Sequence, residues 1–416
     1  MTPTKDDRSF LVFRQTRGNR YTFPLLLGCI EKEGLAESFH IRIARSSEGI
    51  RREVGSGKAI LCFSFMTPHL EEVQEEVERF RRELPGETIF LAGGSHATGD
   101  PRGTLALGFD YVFAGEGERT FPFFLRQYLE GKPPDTRIIR DAEGLLPLDE
   151  IPPFPAQGRY FAPMEITPGC LYECTFCQTP RLLRRFLRHR SPWNVAGYLQ
   201  TAVARGYTQA TLRSSNAFAY SAHGLGQPNL LAMEELFREC QQAGVRGIHF
   251  GCYPSEVRPD WVTPEGLQLV KKYCRNHTIV LGAQSGSDAL LERLKRRHTA
   301  GEAWIASRSI QQAGFTPHVD FVFGFPAETL EDRKLSRKLM EEMILHHGAR
   351  IHAHTYLPLP ATPLFSQEPS RLDPETKNFL LYWEKEGRLD GWWKEQEIMA
   401  WKIIGWRDQG LIKSKE

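Results

Sequence analysis

Three cysteines at a fixed spacing constrain this chain more than any other feature. Cys170, Cys174 and Cys177 form a CxxxCxxC pattern after a short extended run at 164–167. Thiolates are the usual protein ligands of iron–sulfur clusters, and a cubane cluster contains four irons. Three thiolates therefore leave one iron free to bind a substrate or a cofactor. The Pro-Gly pair before the first cysteine predicts a loop, which can wrap around a cluster.

A zinc site or a chance pattern is the alternative interpretation of these cysteines. A structural zinc ion requires a fourth ligand, usually from a second CxxC or HxxxH pair. No such pair follows Cys177 in the sequence. The spacing therefore favours a cluster over zinc.

The composition is that of an ordinary globular protein. The 416 residues predict two or three domains, and the net charge of +2 does not require a nucleic-acid or membrane partner. Eight cysteines do not make a disulfide framework, so those outside the motif are expected to be buried thiols. The polar first nine residues do not resemble a signal peptide, and no apolar run approaches the ~20 residues of a membrane span. We therefore expect a cytoplasmic protein.

Residues 10–130 alternate between strand-like and helix-like runs, which predicts a parallel sheet with helices on both faces. Ligands of such sheets bind at the carboxyl ends of the strands. Polar and glycine residues stand at three of these ends, where glycine allows the backbone to approach a flat or phosphorylated ligand. The candidates are Ser64, Met66, Thr67, Gly93, Gly94, Ser95, His96, Gly115, Glu116, Gly117 and Glu118.

Each of these strand-end features also has an ordinary structural interpretation. The Gly93-Gly94 pair is compatible with a simple turn, and Glu116 and Glu118 are compatible with the start of a helix. His96 is either a metal ligand or a loop histidine that makes hydrogen bonds.

A second alternation of strands and helices follows the cysteines. Residues 147–160 are rich in proline and predict an extended connection between domains. Beyond it, six strand–helix units predict a parallel barrel that is partly open, with its chemistry at the carboxyl ends of the strands. After the strand that precedes Cys170, the predicted strands are 208–213, 247–252, 278–284, 318–325 and 350–359.

The cysteine motif, with Phe176 before its third cysteine, resembles that of the radical S-adenosylmethionine (SAM) enzymes. In that family the open iron holds SAM, and an electron from the cluster cleaves it to a 5′-deoxyadenosyl radical. The GGxHAT and GEGE segments at 93–98 and 115–118 resemble the cobalamin-binding domain of B12-dependent members. The chain has no DxHxxG element, so the resemblance implies a cobalamin without a histidine on its lower face.

The resemblance also implies SAM contacts at the strand ends of the barrel. The chain departs from the family's Gly-Gly-Glu-like element after the second strand, where it has Arg213-Ser214-Ser215-Asn216. Later segments resemble those that contact the ribose and carboxylate and that border the adenine. The implied SAM contacts are Phe176, Ser214, Ser215, Asn216, Ser255, Gln284, Ser285 and Gly324. No catalytic residue is assigned.

We therefore expect an α/β chain in four parts. These are a Rossmann-like cobalamin-binding domain (1–146), a linker (147–160), a partial (β/α)6 radical SAM barrel (161–365) and a Trp-rich helical cap (366–416). A lid or a docking surface is the alternative for the tail. The basic segment 181–190 is either a contact for cofactor carboxylates, phosphate or an acidic substrate patch, or a solvated helix face.

The function implied by the resemblance is that of a cobalamin-dependent radical SAM methyltransferase acting on an unactivated sp3 carbon. Its cofactors would be a [4Fe–4S] cluster, SAM and methylcobalamin, and it would act as a monomer with an external one-electron reductant. The CQTP and RHRS segments resemble an archaeal-type subgroup, which suggests a protein side chain as substrate, for example a glutamine of methyl-coenzyme M reductase.

Three other functions compete with this prediction. One is rearrangement or ring formation on a small molecule with the same cofactors. A second is a non-enzymatic cobalamin- or cluster-binding sensor or carrier. Methylthio transfer is disfavoured, because the additional cluster of that family requires three N-terminal cysteines and only Cys29 and Cys62 are present.

Overall fold

The chain folds into two compact units. The computed structural model describes residues 8–55, 58–142, 144–158, 160–183 and 185–413. Unit 1 contains the described residues up to Ala162 and those from Trp406 onward, and unit 2 is Pro163–Gly405. Predictions for the first seven residues, Arg159 and Arg184 lie outside the described residues.

Unit 1 is a parallel α/β sheet, as the sequence predicts. Its six strands lie in the order β2-β1-β3-β4-β5-β6, and every neighbouring pair is parallel. The strands are β1 (Phe10–Arg14), β2 (His40–Ala44), β3 (Ala59–Ser64), β4 (Ile89–Gly93), β5 (Tyr111–Phe113) and β6 (Ile138–Ile139). The helices of this part are α1 (Thr22–Lys32), α2 (Ser47–Val54), α3 (Leu70–Glu83), α4 (Gly94–Gly99), α5 (Pro101–Ala106) and α6 (Thr120–Leu129).

The central strand and a neighbouring helix show the sequence patterns from which the sheet of unit 1 is predicted. All six residues of β3 are buried, as expected for a central parallel strand covered on both faces. The helix α3 has Glu71 and Glu72 in its first turn and Arg81 and Arg82 in its last, which matches the helix dipole. The apolar pattern of β3 and the charge pattern of α3 therefore both match the elements that the structure contains.

Four elements of unit 1 were not predicted. The strand β6 has two residues, too few for a periodic signal, and α4 and α5 have six residues each. The sequence of α4, Gly-Ser-His-Ala-Thr-Gly, carries almost no helix-forming residues, so propensity predicts a loop. The eight residues of α2 hold two buried apolar side chains, Ile50 and Val54.

The proline-rich segment after β6 packs against α1. Phe154 and Ile151 are buried, and the Nζ of Lys32 donates a hydrogen bond to the carbonyl of Glu150 at 2.6 Å. A Cβ on Gly28 would lie 2.9 Å from the backbone of Phe154, so only glycine permits this approach. The segment is thus extended and is also part of the packing of unit 1.

Unit 2 contains two parallel sheets with strands in chain order. The first has the order β7-β8-β9 and the second β10-β11-β12-β13. The strands are β7 (Met164–Thr167), β8 (Gln209–Ser214), β9 (Gly247–His249), β10 (Thr278–Gln284), β11 (Thr316–Phe323), β12 (Arg350–Thr355) and β13 (Leu389–Gly391). The helices are α7 (Thr179–Leu182), α8 (Pro192–Val203), α9 (Leu230–Gln242), α10 (Pro264–Tyr273), α11 (Asp288–Arg293), α12 (Ala300–Gln312), α13 (Leu330–His347), α14 (Pro374–Lys385) and α15 (Trp393–Asp408).

The two sheets are joined by an irregular segment after β9. Gly251 has a φ of +69°, which ends the strand earlier than predicted. The carbonyl of Gly251 accepts a hydrogen bond from Val280, and Val257 pairs with Leu281 of β10. The expected series of strands is therefore present, with a backbone link in place of direct pairing between β9 and β10.

Two other strands differ from their predicted bounds for physical reasons. The strand β11 ends at Phe323 because Gly324 turns the chain with a φ of +79°. The strand β12 ends at Thr355, ahead of two prolines that cannot donate to a ladder.

The Trp-rich tail is helical, as predicted, but it also adds a strand. The strand β13 pairs with β12 at the edge of the second sheet. Trp383 and Trp393 are buried, and the carbonyl of Trp393 accepts a hydrogen bond from Thr355 Oγ1 at 2.8 Å. This packing fits a cap; the lid interpretation stays untested. No helix within the described ranges is long and apolar enough to span a membrane.

Candidate functional site

The three cysteines lie on the loop that follows β7. Gly169 opens this loop with a φ of +88°, and a Cβ there would lie 2.2 Å from the carbonyl oxygen of Phe186. The loop then turns tightly, with the amide of Cys177 donating to the carbonyl of Cys174 at 3.2 Å. The Pro-Gly pair thus performs the role that the sequence predicts for it.

The sulfur geometry fits a cluster better than a single metal ion. The pKa of Cys177 is raised to about 11, mainly by burial and in part by the neighbouring thiols of Cys174 and Cys170. Yet within the described part of the chain, only one set of three His, Cys, Asp or Glu side chains brings its ligand atoms within 4.8 Å of one another, and that set contains no cysteine. A cubane is larger than one ion, so its ligand sulfurs stand farther apart.

Arg296 is the nearest cationic partner of this loop. Its Nη1 donates to Sγ of Cys174 at 3.7 Å, and its Nη2 donates to the carbonyl of Gly282 at 2.6 Å. The side chain is almost completely buried. Hydrogen bonds to the sulfurs are one of the means by which proteins set cluster potentials. The sequence did not reveal this residue, because it stands in a basic run with no distinguishing pattern.

A second group of side chains fixes the loop between the first two cysteines. The hydroxyl of Tyr172 donates to Oδ2 of Asp260 at 2.5 Å and accepts from Nε1 of Trp261 at 2.7 Å. The guanidinium carbon of Arg258 lies 3.3 Å from the centre of the Tyr172 ring. All four residues belong to unit 2, and none was predicted as part of the site.

Phe176 joins an apolar cluster beside the cysteine loop. Its ring centre lies 5.1 Å from that of Phe325, which in turn lies 5.5 Å from that of Tyr356. Leu290 and Leu294 complete the cluster. The aromatic residue before the third cysteine therefore packs against the segment that follows β11. Its predicted contact with SAM stays a prediction.

Three of the predicted SAM contacts form one hydrogen-bonded unit at the end of β8. The Oγ of Ser255 accepts from the amide of Ser214 and donates to its carbonyl, each at 2.8 Å. The amide of Asn216 donates to Oγ of Ser214 at 3.1 Å. These bonds occupy both hydroxyls, but Nδ2 of Asn216 is buried without a partner among the described residues. Asn216 is thus the member that retains a donor for a ligand, with the half-buried Ser215 beside it.

Gln284 occupies a strained backbone position at the end of β10. Its φ of 68° is uncommon for a residue with a side chain. A Cβ on Gly282 would lie 2.8 Å from Nε2 of Gln284, 3.1 Å from Nη2 of Arg296 and 3.2 Å from Oε2 of Glu256. Glycine is therefore required for these polar groups to converge. Strain and convergence of this kind are typical of functional sites.

Ser285 and Gly324 are in close contact with other residues of the protein. The hydroxyl of Ser285 is fully buried and lies 3.1 Å from that of Ser336 on α13. A Cβ on Gly324 would lie 2.9 Å from the side chain of Thr355 and 3.0 Å from the carbonyl of Ser370. Their predicted SAM contacts remain predictions, and in this structure both residues contribute to packing.

The predicted cobalamin loops meet at the carboxyl edge of the sheet in unit 1. Gly94 has a φ of +93°, and a Cβ there would lie 2.8 Å from the amide nitrogen of Phe65. The Oγ1 of Thr98 donates to the carbonyl of Gly94 and accepts from the amide of Gly115. The segments after β3, β4 and β5 are thus tied into one surface.

This edge is open where a flat ligand would require space. A Cβ on Gly93 or on Gly115 would meet no atom within 4 Å, and Met66 is exposed. Ser95 and Glu116 are half-buried at the same edge. The surface therefore fits a large planar group, and its glycines keep the backbone accessible.

His96 lies beneath the loops and not on the open edge. It is fully buried, its Nδ1 lies 3.0 Å from Oγ1 of Thr67, and its ring stacks on Phe65. This geometry fits a histidine that makes hydrogen bonds, whereas its Nε2 has no partner among the described residues, and its role as a metal ligand stays an untested alternative. Asn19, which the sequence did not single out, joins the same edge because its Nδ2 donates to the carbonyl of Ser64 at 2.8 Å.

Two arginines of the basic segment 181–190 make contacts within unit 2. Arg190 is buried, and its Nη1 donates to Oδ1 of Asn194 at 2.7 Å. Arg185 forms an ion pair with Glu173 of the cysteine loop at 2.6 Å. These two arginines therefore stabilise unit 2, and the predicted contacts with cofactor carboxylates, phosphate or an acidic substrate remain untested.

Two family models match the chain, one in each unit. The model described as the Radical SAM superfamily matches residues 164–340, which include the three cysteines. The model described as the B12 binding domain matches residues 40–125, which include the three predicted cobalamin loops. The chain therefore combines a radical SAM domain with a B12-binding domain.

Several curated relatives are about a quarter identical to this chain over the residues that align. An uncharacterized protein of Methanopyrus kandleri is 26% identical over 53% of this chain and 42% of its own length. A tRNA-2-methylthio-N(6)-dimethylallyladenosine synthase of Finegoldia magna is 26% identical over 62% of this chain and 54% of its own length. The threonylcarbamoyladenosine tRNA methylthiotransferase MtaB of Bacillus subtilis is 26% identical over 73% and 66%. The chain thus spans about half the length of each of the first two relatives.

Two solved structures resemble nearly the whole chain. The radical SAM methyltransferase TsrM of Kitasatospora setae, with cobalamin and a [4Fe–4S] cluster bound, has a TM-score of 0.63 and 16% identity over 86% of this chain and 77% of its own. The cobalamin-dependent SAM radical enzyme OxsB has a TM-score of 0.61 and 12% identity over 81% and 52%. At these identities the likeness establishes the fold.

The fold and the two domains define the class: the chain combines a radical SAM domain with a B12-binding domain, in a fold similar to that of the cobalamin-dependent radical SAM enzymes TsrM and OxsB. The radical SAM domain implies a [4Fe–4S] cluster and SAM as cofactors, and the B12-binding domain implies cobalamin. Cys170, Cys174 and Cys177 would hold the cluster, and the open edge of unit 1 would hold cobalamin.

Proposed function

We propose that this protein is a cobalamin-dependent radical SAM methyltransferase that methylates an unactivated sp3 carbon of a protein or peptide side chain. The observation that carries the proposal is the occurrence of both sites in one chain: the cysteine loop held by Arg296 and Tyr172, and the glycine-lined edge around Gly94. The methyltransferase TsrM, which has a similar fold, binds the same set of cofactors.

The cofactors supply the reactivity, and the protein holds and orients them. When bound, they supply a radical from one SAM and a methyl group from another, so the products expected from SAM are 5′-deoxyadenosine and S-adenosylhomocysteine. Arg296 provides a fixed positive charge beside the cluster sulfurs, and Tyr172 holds the loop in place. Asn216 and Gln284 supply amide groups at the strand ends, where they can orient a polar ligand.

The combination of a radical-generating cluster with a methyl donor is the reason for proposing a carbon that is not nucleophilic. SAM alone transfers its methyl group to nucleophiles, so a cluster that generates radicals is required only for other carbons. We further propose that an external one-electron reductant serves the cluster. The glutamine of methyl-coenzyme M reductase suggested by the resemblance receives no support from the relatives or from the solved structures.

Methylthio transfer to tRNA is the function named for several relatives, but the N-terminal part of this chain argues against it. The two cysteines before residue 170 are Cys29 and Cys62. Both are buried, Cys62 in the main core of unit 1 and Cys29 in a separate apolar cluster with Leu148 and Ile151. They therefore offer no shared site for a second cluster.

The proposal is tested with protein reconstituted anaerobically with iron, sulfide and cobalamin. Incubation with SAM and titanium(III) citrate should yield both 5′-deoxyadenosine and S-adenosylhomocysteine. Deoxyadenosine without S-adenosylhomocysteine would contradict methyl transfer and favour rearrangement or ring formation. Absence of both products from protein shown to contain the cluster would favour a sensor or carrier.

A further inference from the structure

A second group of metal-binding side chains lies in unit 2, away from the cysteines. His318 of β11, His352 of β12 and Asp390 of β13 each present one ligand atom, and these atoms all lie within 4.8 Å of one another. We propose that these three residues form an open site for one divalent transition-metal ion of the zinc or iron(II) type. We refer to it as the His-His-Asp site.

The strand register places the three side chains on the same face of the sheet. His352 is paired directly with Asp390 on one side and with Asp320 on the other. His318 stands two residues before Asp320, so the period of two brings it to that face. The opposite face of the same strands, with Val319, is buried. The backbone therefore preorganises the group.

Both imidazoles approach the same carboxylate oxygen. Nε2 of His318 lies 3.6 Å from Oδ1 of Asp390, and Nδ1 of His352 is in close contact with that atom. Arg350 lies 3.5 Å from the other oxygen, Oδ2. One oxygen is thus directed at the histidines, while the arginine fixes the orientation of the carboxylate, as outer partners of metal ligands commonly do.

One of these ligand atoms lacks a partner in the absence of an ion. Nε2 of His318 is buried and makes no hydrogen bond within the described part of the chain. A buried polar atom without a hydrogen bond is costly, typically about 1–3 kcal/mol. An ion bound between His318 and Asp390 would satisfy it, which a simple His352–Asp390 hydrogen bond does not.

The site is half-buried and incomplete. The side chains of His318, His352 and Asp390 are 26%, 25% and 45% exposed. Three protein ligands leave at least one position for water or a substrate oxygen, which is typical of reactive sites and not of closed structural sites. Two histidines with one carboxylate suit zinc and iron(II).

This site is separate from the cluster site. The cysteines follow the carboxyl end of β7, whereas His318 stands five residues before the end of β11. Five residues of strand correspond to roughly 16 Å. The His-His-Asp site therefore lies toward the amino ends of the strands, and its occupancy does not depend on the proposed methyl transfer.

Zinc binding by the full-length protein tests the proposal. The cluster is reconstituted first, so that its cysteines are occupied, and Zn²⁺ is then titrated against a chromophoric chelator. We expect about one zinc per chain with the iron content unchanged. H318A and D390N should each weaken the zinc affinity at least about tenfold. H346A, which removes an exposed histidine of α13, should leave it unchanged.

A measurement on the unaltered protein keeps the proposal testable if a variant fails to fold. Co²⁺ in place of Zn²⁺ should give visible d–d absorption without the near-ultraviolet charge-transfer band of a cobalt–thiolate bond. Zinc affinity equal in wild type, H318A and D390N would overturn the proposal, as would a strong cobalt–thiolate band. Absence of zinc binding by the wild-type protein would overturn it as well.

Discussion

Arg296 donates a hydrogen bond from Nη1 to Sγ of Cys174 at 3.7 Å. Its guanidinium group thus places a positive charge beside one of the sulfurs that would hold the proposed cluster. A cluster held by three thiolates becomes more negative on reduction. A buried positive charge therefore favours the reduced state.

Replacing Arg296 with glutamine should lower the reduction potential of the cluster. The expected change is roughly 50 mV, or about 1 kcal/mol for one electron. Potentiometric titration followed by electron paramagnetic resonance would measure it. R297Q, which removes the adjacent exposed arginine, is the matched control and should leave the potential unchanged. Equal potentials in R296Q and wild type would refute the assigned role.

Replacing Cys174 with alanine should abolish cluster assembly and cleavage of SAM. The thiolate supplies one of three protein ligands, and two ligands do not retain a cubane. Iron content and deoxyadenosine formation provide the measurements. C274A is the control, because Cys274 terminates α10 and is remote from the cysteine loop in sequence. Retained cleavage in C174A would overturn the assignment of the cysteines.

Much of this site was predictable from the sequence, because its strongest signals are local. The spacing of Cys170, Cys174 and Cys177 lies within eight residues, and Gly169 marks the turn before them. Arg296 and Tyr172 were missed for a different reason. Their roles arise from contacts across more than 80 positions of sequence, for which a single sequence has no periodic signal.

The strands of the fold were predictable where burial gives a continuous apolar run. The bounds of β10 agree with the predicted 278–284, whereas β6 and β13 were missed. The missed strands have two and three residues and form at sheet edges, where pairing with a neighbour supplies the stability. Local propensity does not record such pairing.

Replacing Gly94 with alanine should damage the cobalamin edge and leave the cluster intact. The left-handed backbone costs about 1–2 kcal/mol for any other residue, and the new Cβ would clash with Phe65. We expect loss of bound cobalt with unchanged iron. G86A is the control, because position 86 has room for a Cβ. Unchanged cobalt content in G94A would contradict the proposed site.

His189 should make the protein sensitive to acid. Burial lowers its pKa to about 4, and its Nδ1 accepts a hydrogen bond from the amide of Ser221, which protonation of that atom would break. The unfolded state, with a pKa near the usual 6.5, binds the proton first. Stability is therefore full above pH 6.5 and decreases as the pH falls toward 4.

Thermal unfolding between pH 7.5 and pH 4.5 would measure this effect. H189N retains an acceptor for the Ser221 amide but has no proton to bind, so its melting temperature should fall less on acidification than that of the wild type. The same decrease in both proteins would show that His189 is not responsible.

The most direct measurement of the central claim is the metal content of the reconstituted protein. Full-length protein is treated anaerobically with iron, sulfide and hydroxocobalamin, desalted, and analysed for iron and cobalt. We expect about four irons and about one cobalt per chain, from one cubane cluster and one cobalamin. Four irons without cobalt would contradict it, since the glycine-lined edge around Gly94 would then not be a cobalamin site.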